Sequence, residues 1–288
     1  MKLISEKMNP NRPALRYHGG KWMLANWIIS HFPSHRIYVE PFGGGASVLL
    51  KKEHTYAEIY NDLDSELVNL FRVIRDHGDD LKNRLQLTPF SRDEFNLSYE
   101  PSADPVEQAR RTVARSFMGF GSNAHNRKTG FRSFARLQSA SPAHDWNNYP
   151  DAVTSIMERL RGVVIENRPA TDLILAQDSI DTLFYIDPPY VKSTRTDTAD
   201  DYRFEMTDLE HKDLAEILHG INGMAIVSGY PCDLYSELFS GWMRTEKIAL
   251  ADGASPRTEC LWINPACQKA LEAEKRQLDM FVQEVMCG

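Results

Sequence analysis

Apolar residues recur along this chain in two periods, and the switches between them outline a layered α/β architecture. Arg36 to Phe42 (RIYVEPF) is a short apolar run ended by Gly43-Gly44-Gly45, which reads as a buried strand stopped by a glycine turn. A helix is predicted from Ala46 to about Lys52, and Tyr56 to Asp62 reads as a second strand. Leu67, Leu70, Phe71 and Ile74 then fall at i, i+3, i+4 and i+7, the apolar stripe of one helix. Strand, glycine turn, helix, strand, helix is how a doubly wound sheet begins.

The pattern lapses over residues 76–161, which are polar and mainly helical in character, with a glycine-containing loop from Gly119 to Gly130. Strand signals resume at Gly162–Glu166, Thr182–Ile186, Gly223–Ser228, about Glu246–Leu250 and Glu259–Ile263. Between them, Thr207-x-x-Glu210 matches a capping box and leads into Leu214, Ile217, Leu218 and Ile221 at helical spacing. The expectation is one α/β domain formed by residues 1–75 and 162–265, interrupted by an insertion at 76–161. Residues 266–288 follow as a charged helical tail.

Composition narrows this little. With 288 residues, 42% of them apolar and 25% charged, the chain has the balance of a globular protein. It has no apolar run of about eighteen residues to span a membrane, and Met1 to Pro10 lacks the apolar core of a secretory signal. Cys232, Cys260, Cys267 and Cys287 show neither C-x-x-C pairing nor companion histidines, so reduced thiols, no metal site and a cytoplasmic setting are expected. The net charge of −7 hides an uneven distribution. From Gln108 to Ala140 the chain holds Arg110, Arg111, Arg115, Arg127, Lys128, Arg132 and Arg136 and no acid. Such a stretch either binds phosphates or is a solvated helix face and loop, and composition leaves both open.

The sharpest chemical signal is Asp187-Pro188-Pro189-Tyr190, directly after the apolar strand ending at Ile186. Two prolines fix φ and cannot extend a ladder, so a stiff turn would account for them. A chemical role accounts for more, because ligands of doubly wound sheets bind beyond the carboxyl ends of strands. An exocyclic amine is a poor nucleophile, its lone pair being delocalised into the ring. The Asp187 carboxylate and Pro188 carbonyl can accept its two N–H groups and favour a more tetrahedral nitrogen. Pro189 stiffens the turn and Tyr190 offers a ring for stacking. These are positioning and electrostatic effects.

Glu40-Pro41-Phe42-Gly43-Gly44-Gly45-Ala46-Ser47 lets a ligand approach the backbone between strand and helix. It departs from G-x-G-x-x-G, since Val48 stands at the last place, and no G-x-x-x-x-G-K-[ST] occurs anywhere. Asp62, at the end of the second strand, can accept both ribose hydroxyls of a nucleoside cofactor. Asp64 is its rival, and either can instead cap the following helix.

Four segments occur in fixed order: Tyr17-His-Gly-Gly-Lys21, Glu40 to Ser47, Tyr60-Asn-Asp62 and Asp187-Pro-Pro-Tyr190. Together they closely resemble the Dam-type, D12-class adenine-N6 DNA methyltransferases, from about Arg12 to Pro265. Tyr202-Arg-Phe-Glu-Met, Ser228-Gly-Tyr230 and Arg257-Thr-Glu-Cys-Leu-Trp262 look like the phage and prophage branch. The resemblance implies a class I, Rossmann-like methyltransferase fold using S-adenosylmethionine and double-stranded DNA, with a monomer expected. By position, Tyr17 and Lys21 line the methionine end, Glu40 and Phe42 to Gly45 (Gly43 and Gly45 included) form the cofactor loop, and Asp62 holds the ribose. Asp187 lies between cofactor and flipped adenine. Asp172 stands where the family often has an acid before an aromatic, but Leu173 follows here. The insertion becomes the target-recognition region, with Arg127, Lys128 and Arg132 on its DNA-facing loop. An F-N-x-P-x-G-like run is absent, so GATC specificity does not carry over. An RNA base or a protein glutamine as acceptor would go with an N-P-P-Y form, and a DNA-binding module with a decayed catalytic fold would not keep the motifs intact. Whether a partner nuclease makes the chain part of a restriction-modification pair is not legible.

Overall fold

The computed structural model describes residues 10–133, 141–195, 203–250 and 256–287. Its strands are β1 (Ile37–Glu40), β2 (Ala57–Asn61), β3 (Val163–Glu166), β4 (Thr182–Ile186), β5 (Met224–Gly229), β6 (Met243–Leu250) and β7 (Pro256–Ile263). They form one sheet in the order β3-β2-β1-β4-β5-β7-β6. The first five run parallel, while β7 is antiparallel to both β5 and β6. This is a mixed, doubly wound α/β sheet of the class I methyltransferase kind, and the strand order reverses between β1 and β4.

Both faces of the sheet are covered, which explains why β4 and β5 read as unbroken apolar runs. The two-residue period of the strands sorts their side chains between two cores. Tyr38, Leu183, Tyr185, Ile226 and Leu261 face one cluster, which takes in the helices Ala25–Ile29, Ser47–Lys51 and Ser65–Gln86. Val39, Phe184, Ile186, Val227 and Trp262 face the other, with helices Ala170–Gln177, Asp208–Gly220 and Asp233–Leu238. The capping box at Thr207 and Glu210 forms as its sequence predicts. No helix among the described residues is long and apolar enough to cross a membrane.

The insertion is helical, with Arg92–Leu97, Pro105–Met118, Pro142–Asn147 and Tyr149–Leu160 following the long helix Ser65–Gln86. That helix runs through the expected boundary at residue 75, with non-helical angles only at His77. Leu81, Leu85, Phe117 and Tyr149 belong to the same apolar cluster as Tyr38 and Tyr185. Residues 76–161 therefore extend the sheet's own core. A buried ion cluster strengthens the join, since Glu58 of β2 takes Lys52 and Arg159 each at 2.6 Å.

Three of the seven basic residues of the 108–140 stretch are absorbed by this packing. Arg110 pairs with Glu94 and Glu107 at 2.7 Å each, Arg111 with Glu107 at 2.8 Å, and Arg115 with Glu66. These arginines are neither a phosphate-binding surface nor a solvated helix face. Their acidic partners lie outside the 108–140 window, so a local charge count misses them. Arg136 and Tyr202 lie outside the described residues.

Candidate active site

At the carboxyl ends of β1, β2 and β4 an open cleft of about 1160 Å³ is lined by Tyr17 to Lys21, Glu40 to Gly45, Asp62 and Asp187 to Pro189. Three of the four ordered segments therefore meet with the Asp187 turn on one concavity, at the point where the strand order reverses.

The glycine turn is shaped by its neighbours. A Cβ on Gly43 would lie 2.1 Å from Cε2 of the fully buried Tyr60, and one on Gly44 2.9 Å from Cε1 of Tyr17. Gly44 also has φ +48, and Ala46 has φ +53, a conformation costly for a side-chain-bearing residue. The helix predicted from Ala46 accordingly starts at Ser47. Asp62 locks the turn, its Oδ2 accepting from Gly44 N–H at 2.8 Å and its Oδ1 from Asp64 N–H at 2.8 Å. Burial pushes its carboxyl up to about 6, against those two hydrogen bonds. Glu40, also buried, accepts from the Tyr38 hydroxyl at 2.6 Å, and burial pushes it up to about 7.

Asp187 is held from two sides. Its Oδ1 accepts from the Ser228 hydroxyl of β5 at 2.7 Å and lies 3.0 Å from Lys21 Nζ. Lys21, only 6% exposed, also donates to the Gly19 carbonyl at 2.8 Å. Both donors to Asp187 fall on the same oxygen, so Oδ2 is the one they leave for another partner. Tyr190 is placed differently from the expectation of a stacking ring. It does not line the cleft, because its hydroxyl is drawn to Glu259 of β7 and its ring lies beneath Lys21.

Asp64 lines the same cleft as Asp62 but has other partners. It caps helix Ser65–Gln86 through Glu66 N–H, and it receives His125 at 2.8 Å and Arg203 at 3.0 Å. His125 belongs to the loop that carries Arg127 and Lys128, closed by a bridge between Gly119 and Phe131. The buried His125 ring, 5.9 Å from that of Tyr17, thus fastens this loop to the cleft's rim. Arg127 and Lys128 are exposed, whereas Arg132 lies 3.8 Å from Asp145. Asp172 does not reach the cleft, and Ala170 of the same helix does.

Sequence reasoning assigned no role to Ser228, Glu259, His125 or Arg203. Ser228 and Glu259 stand in predicted strands, and with Arg203 in segments marked by their family resemblance, but without a role of their own. Nothing local marks His125, whose function comes from folding the loop back onto Asp64.

The family described as D12 class N6 adenine-specific DNA methyltransferase matches the chain over residues 17–251. A DNA adenine methylase of Escherichia coli (strain K12) is 26% identical over 232 residues, 74% of this chain and 78% of that protein. One from Serratia marcescens is 33% identical over 105 residues, 33% of this chain and 38% of that protein's length. One from Salmonella typhimurium is 24% identical over 229 residues, with 74% of this chain and 78% of that protein covered.

Proposed function

Because this chain belongs to the D12 class of N6 adenine-specific DNA methyltransferases, we propose that it methylates adenine N6 in duplex DNA using S-adenosylmethionine. The observation that carries this reading is the meeting of the glycine turn and the Asp187-Pro188-Pro189 turn on one cleft.

The cleft's residues fit the cofactor. A carboxylate offers about four acceptor positions, and the hydrogen bonds from Gly44 and Asp64 occupy one on each Asp62 oxygen. The remaining positions suit two ribose hydroxyls. The Phe42 to Gly45 backbone suits the nucleoside, Tyr17 and Glu40 line the same cleft, and Lys21 stands beside Asp187. When bound, the cofactor supplies an electrophilic methyl group on a sulfonium.

What the chain itself does is prepare the nitrogen. The Asp187 carboxylate and the Pro188 carbonyl accept the two N–H groups of the amine, drawing its lone pair out of the ring's π system. Ser228 and Lys21 hold the acid in place. With the cofactor bound, the nitrogen would take the methyl group directly, the carbon–sulfur bond breaking as the nitrogen–carbon bond forms and one N–H proton leaving to solvent, without a covalent enzyme intermediate. Reaching it requires the adenine to leave the base stack. The loop bearing Arg127 and Lys128, fastened at the rim by His125, is suited to meet the duplex there, and residues 76–161 serve as the target-recognition region.

Incubation with methyl-labelled cofactor and unmethylated DNA of varied sequence tests the reading. Label is expected in N6-methyladenine; its absence from that base in every DNA tried rejects the proposal. Asp187→Ala should lower turnover by at least about a hundredfold while the chain still folds, and an active variant would remove Asp187 from the mechanism.

A further inference from the structure

The residue that closes the acid-proline-proline turn faces away from the cleft. Tyr190 is 6% exposed, and its hydroxyl donates to Glu259 of β7. Its ring meets Tyr230 edge-on with centroids 4.7 Å apart, and its carbonyl accepts from Arg195. Lys21 Nζ stands 4.6 Å from the centroid of the same ring and 3.8 Å from Glu259 Oε1.

Pro188 and Pro189 have no N–H to donate, so their own main chain contributes only acceptors. The turn's position must therefore be set by whatever grips its two ends. Ser228 and Lys21 grip Asp187. Glu259 and Arg195 grip Tyr190. Glu259 is 4% exposed, and burial pushes its carboxyl above the usual range, against Lys21 and the Tyr190 hydroxyl. A buried acid is tolerated when it is paired and hydrogen-bonded. Its two partners here are the residues that flank the reacting acid.

We propose that Glu259 is a positioning residue: by holding the Tyr190 hydroxyl and sharing Lys21 with Asp187, it fixes the turn that presents the Asp187 carboxylate and Pro188 carbonyl. The Tyr190 hydroxyl is then an anchor of the turn. This deepens the proposed methyl transfer and rests on it for the identity of the reacting acid. A stacking ring and an anchoring hydroxyl make opposite demands on one substitution, since Tyr190→Phe keeps the ring and deletes the bond.

The test uses the full chain with Tyr190→Phe, Glu259→Gln and Glu259→Leu. Amide hydrogen exchange is followed across residues 185–195 without cofactor. The kcat and the cofactor KM are measured for adenine methylation in duplex DNA. Tyr190→Phe should speed exchange at Asp187, Tyr190 and Val191 while leaving β1 and β5 protected. Its kcat should fall about tenfold, the scale expected when a charge-assisted tie to a reacting group is lost, with the cofactor KM unmoved. Glu259→Gln keeps an acceptor for the hydroxyl and should retain more kcat than Glu259→Leu. Wild-type exchange and wild-type kcat in Tyr190→Phe overturn the inference, even if Glu259→Leu fails to fold. An unsubstituted protein that methylates no adenine defeats the functional reading instead, and the exchange experiment then decides the anchor alone.

Discussion

Asp62 holds two backbone N–H groups and is nonetheless pushed up to about 6 by burial. Its ordinary value is 3.8, so the folded protein takes up this proton earlier than an exposed aspartate would as pH falls. The ionised carboxylate accepts hydroxyl donors on both oxygens, whereas the protonated acid turns one acceptor into a donor. If ribose hydroxyls bind there, affinity is full above about pH 7 and is lost as pH drops through 6. Calorimetric titration of S-adenosylmethionine between about pH 5 and 8 should show weakening of up to about tenfold per unit below 6. Asp62→Asn, with no proton to take up, should bind weakly across the range and lose the slope. A wild-type affinity that stays flat down to pH 5 would take the ribose away from Asp62.

Among the elements, the turn between β1 and helix Ser47–Lys51 was legible as a glycine turn, but the work of each glycine was not. Gly43 is required by Tyr60, which packs on Phe71 with centroids 4.7 Å apart and cannot retreat. That contact joins residues far apart in the chain, and no local pattern encodes it. The five parallel strands, by contrast, were legible because a parallel sheet covered on both faces leaves apolar runs with turn residues at their ends. The same reasoning put Asp187 and Asp62, which stand at strand ends, on the cleft, and passed over Glu259 and Ser228, which reach Tyr190 and Asp187 from β7 and β5. Gly43→Ala should cost about 1–3 kcal/mol through overpacking against Tyr60, seen as a lower urea midpoint with unchanged m. Gly130→Ala, whose Cβ would meet nothing within 4 Å, should leave the midpoint in place. Equal midpoints for the two variants would show that the turn yields where the structure makes it tight.

The whole molecule carries a net charge of −7, yet its charges fall into two groups with different tasks. Arg110, Arg111 and Arg115 are spent inside the protein, Arg115 joining the insertion to Glu66 while Arg110 and Arg111 pair with Glu94 and Glu107 within it. Arg127 and Lys128 stay exposed on the loop that His125 ties to the cleft's rim. An acidic protein that grips DNA must concentrate its counterion release in a few such positions, because the rest of its surface repels phosphate. Each cation that meets a phosphate steepens the salt dependence of binding by about one unit of log K per log unit of salt. Arg127→Ala and Lys128→Ala should therefore each flatten that slope by about 0.9 and weaken binding equally across DNA sequences, with cofactor affinity intact. Arg110→Ala should act differently, lowering the unfolding temperature by breaking a buried pair rather than changing the slope. Fluorescence anisotropy with duplex DNA at several salt concentrations separates the two behaviours. A slope unchanged in the Arg127→Ala, Lys128→Ala double variant would move the DNA-binding face away from this loop, while sequence-dependent losses would make these side chains readers of base edges.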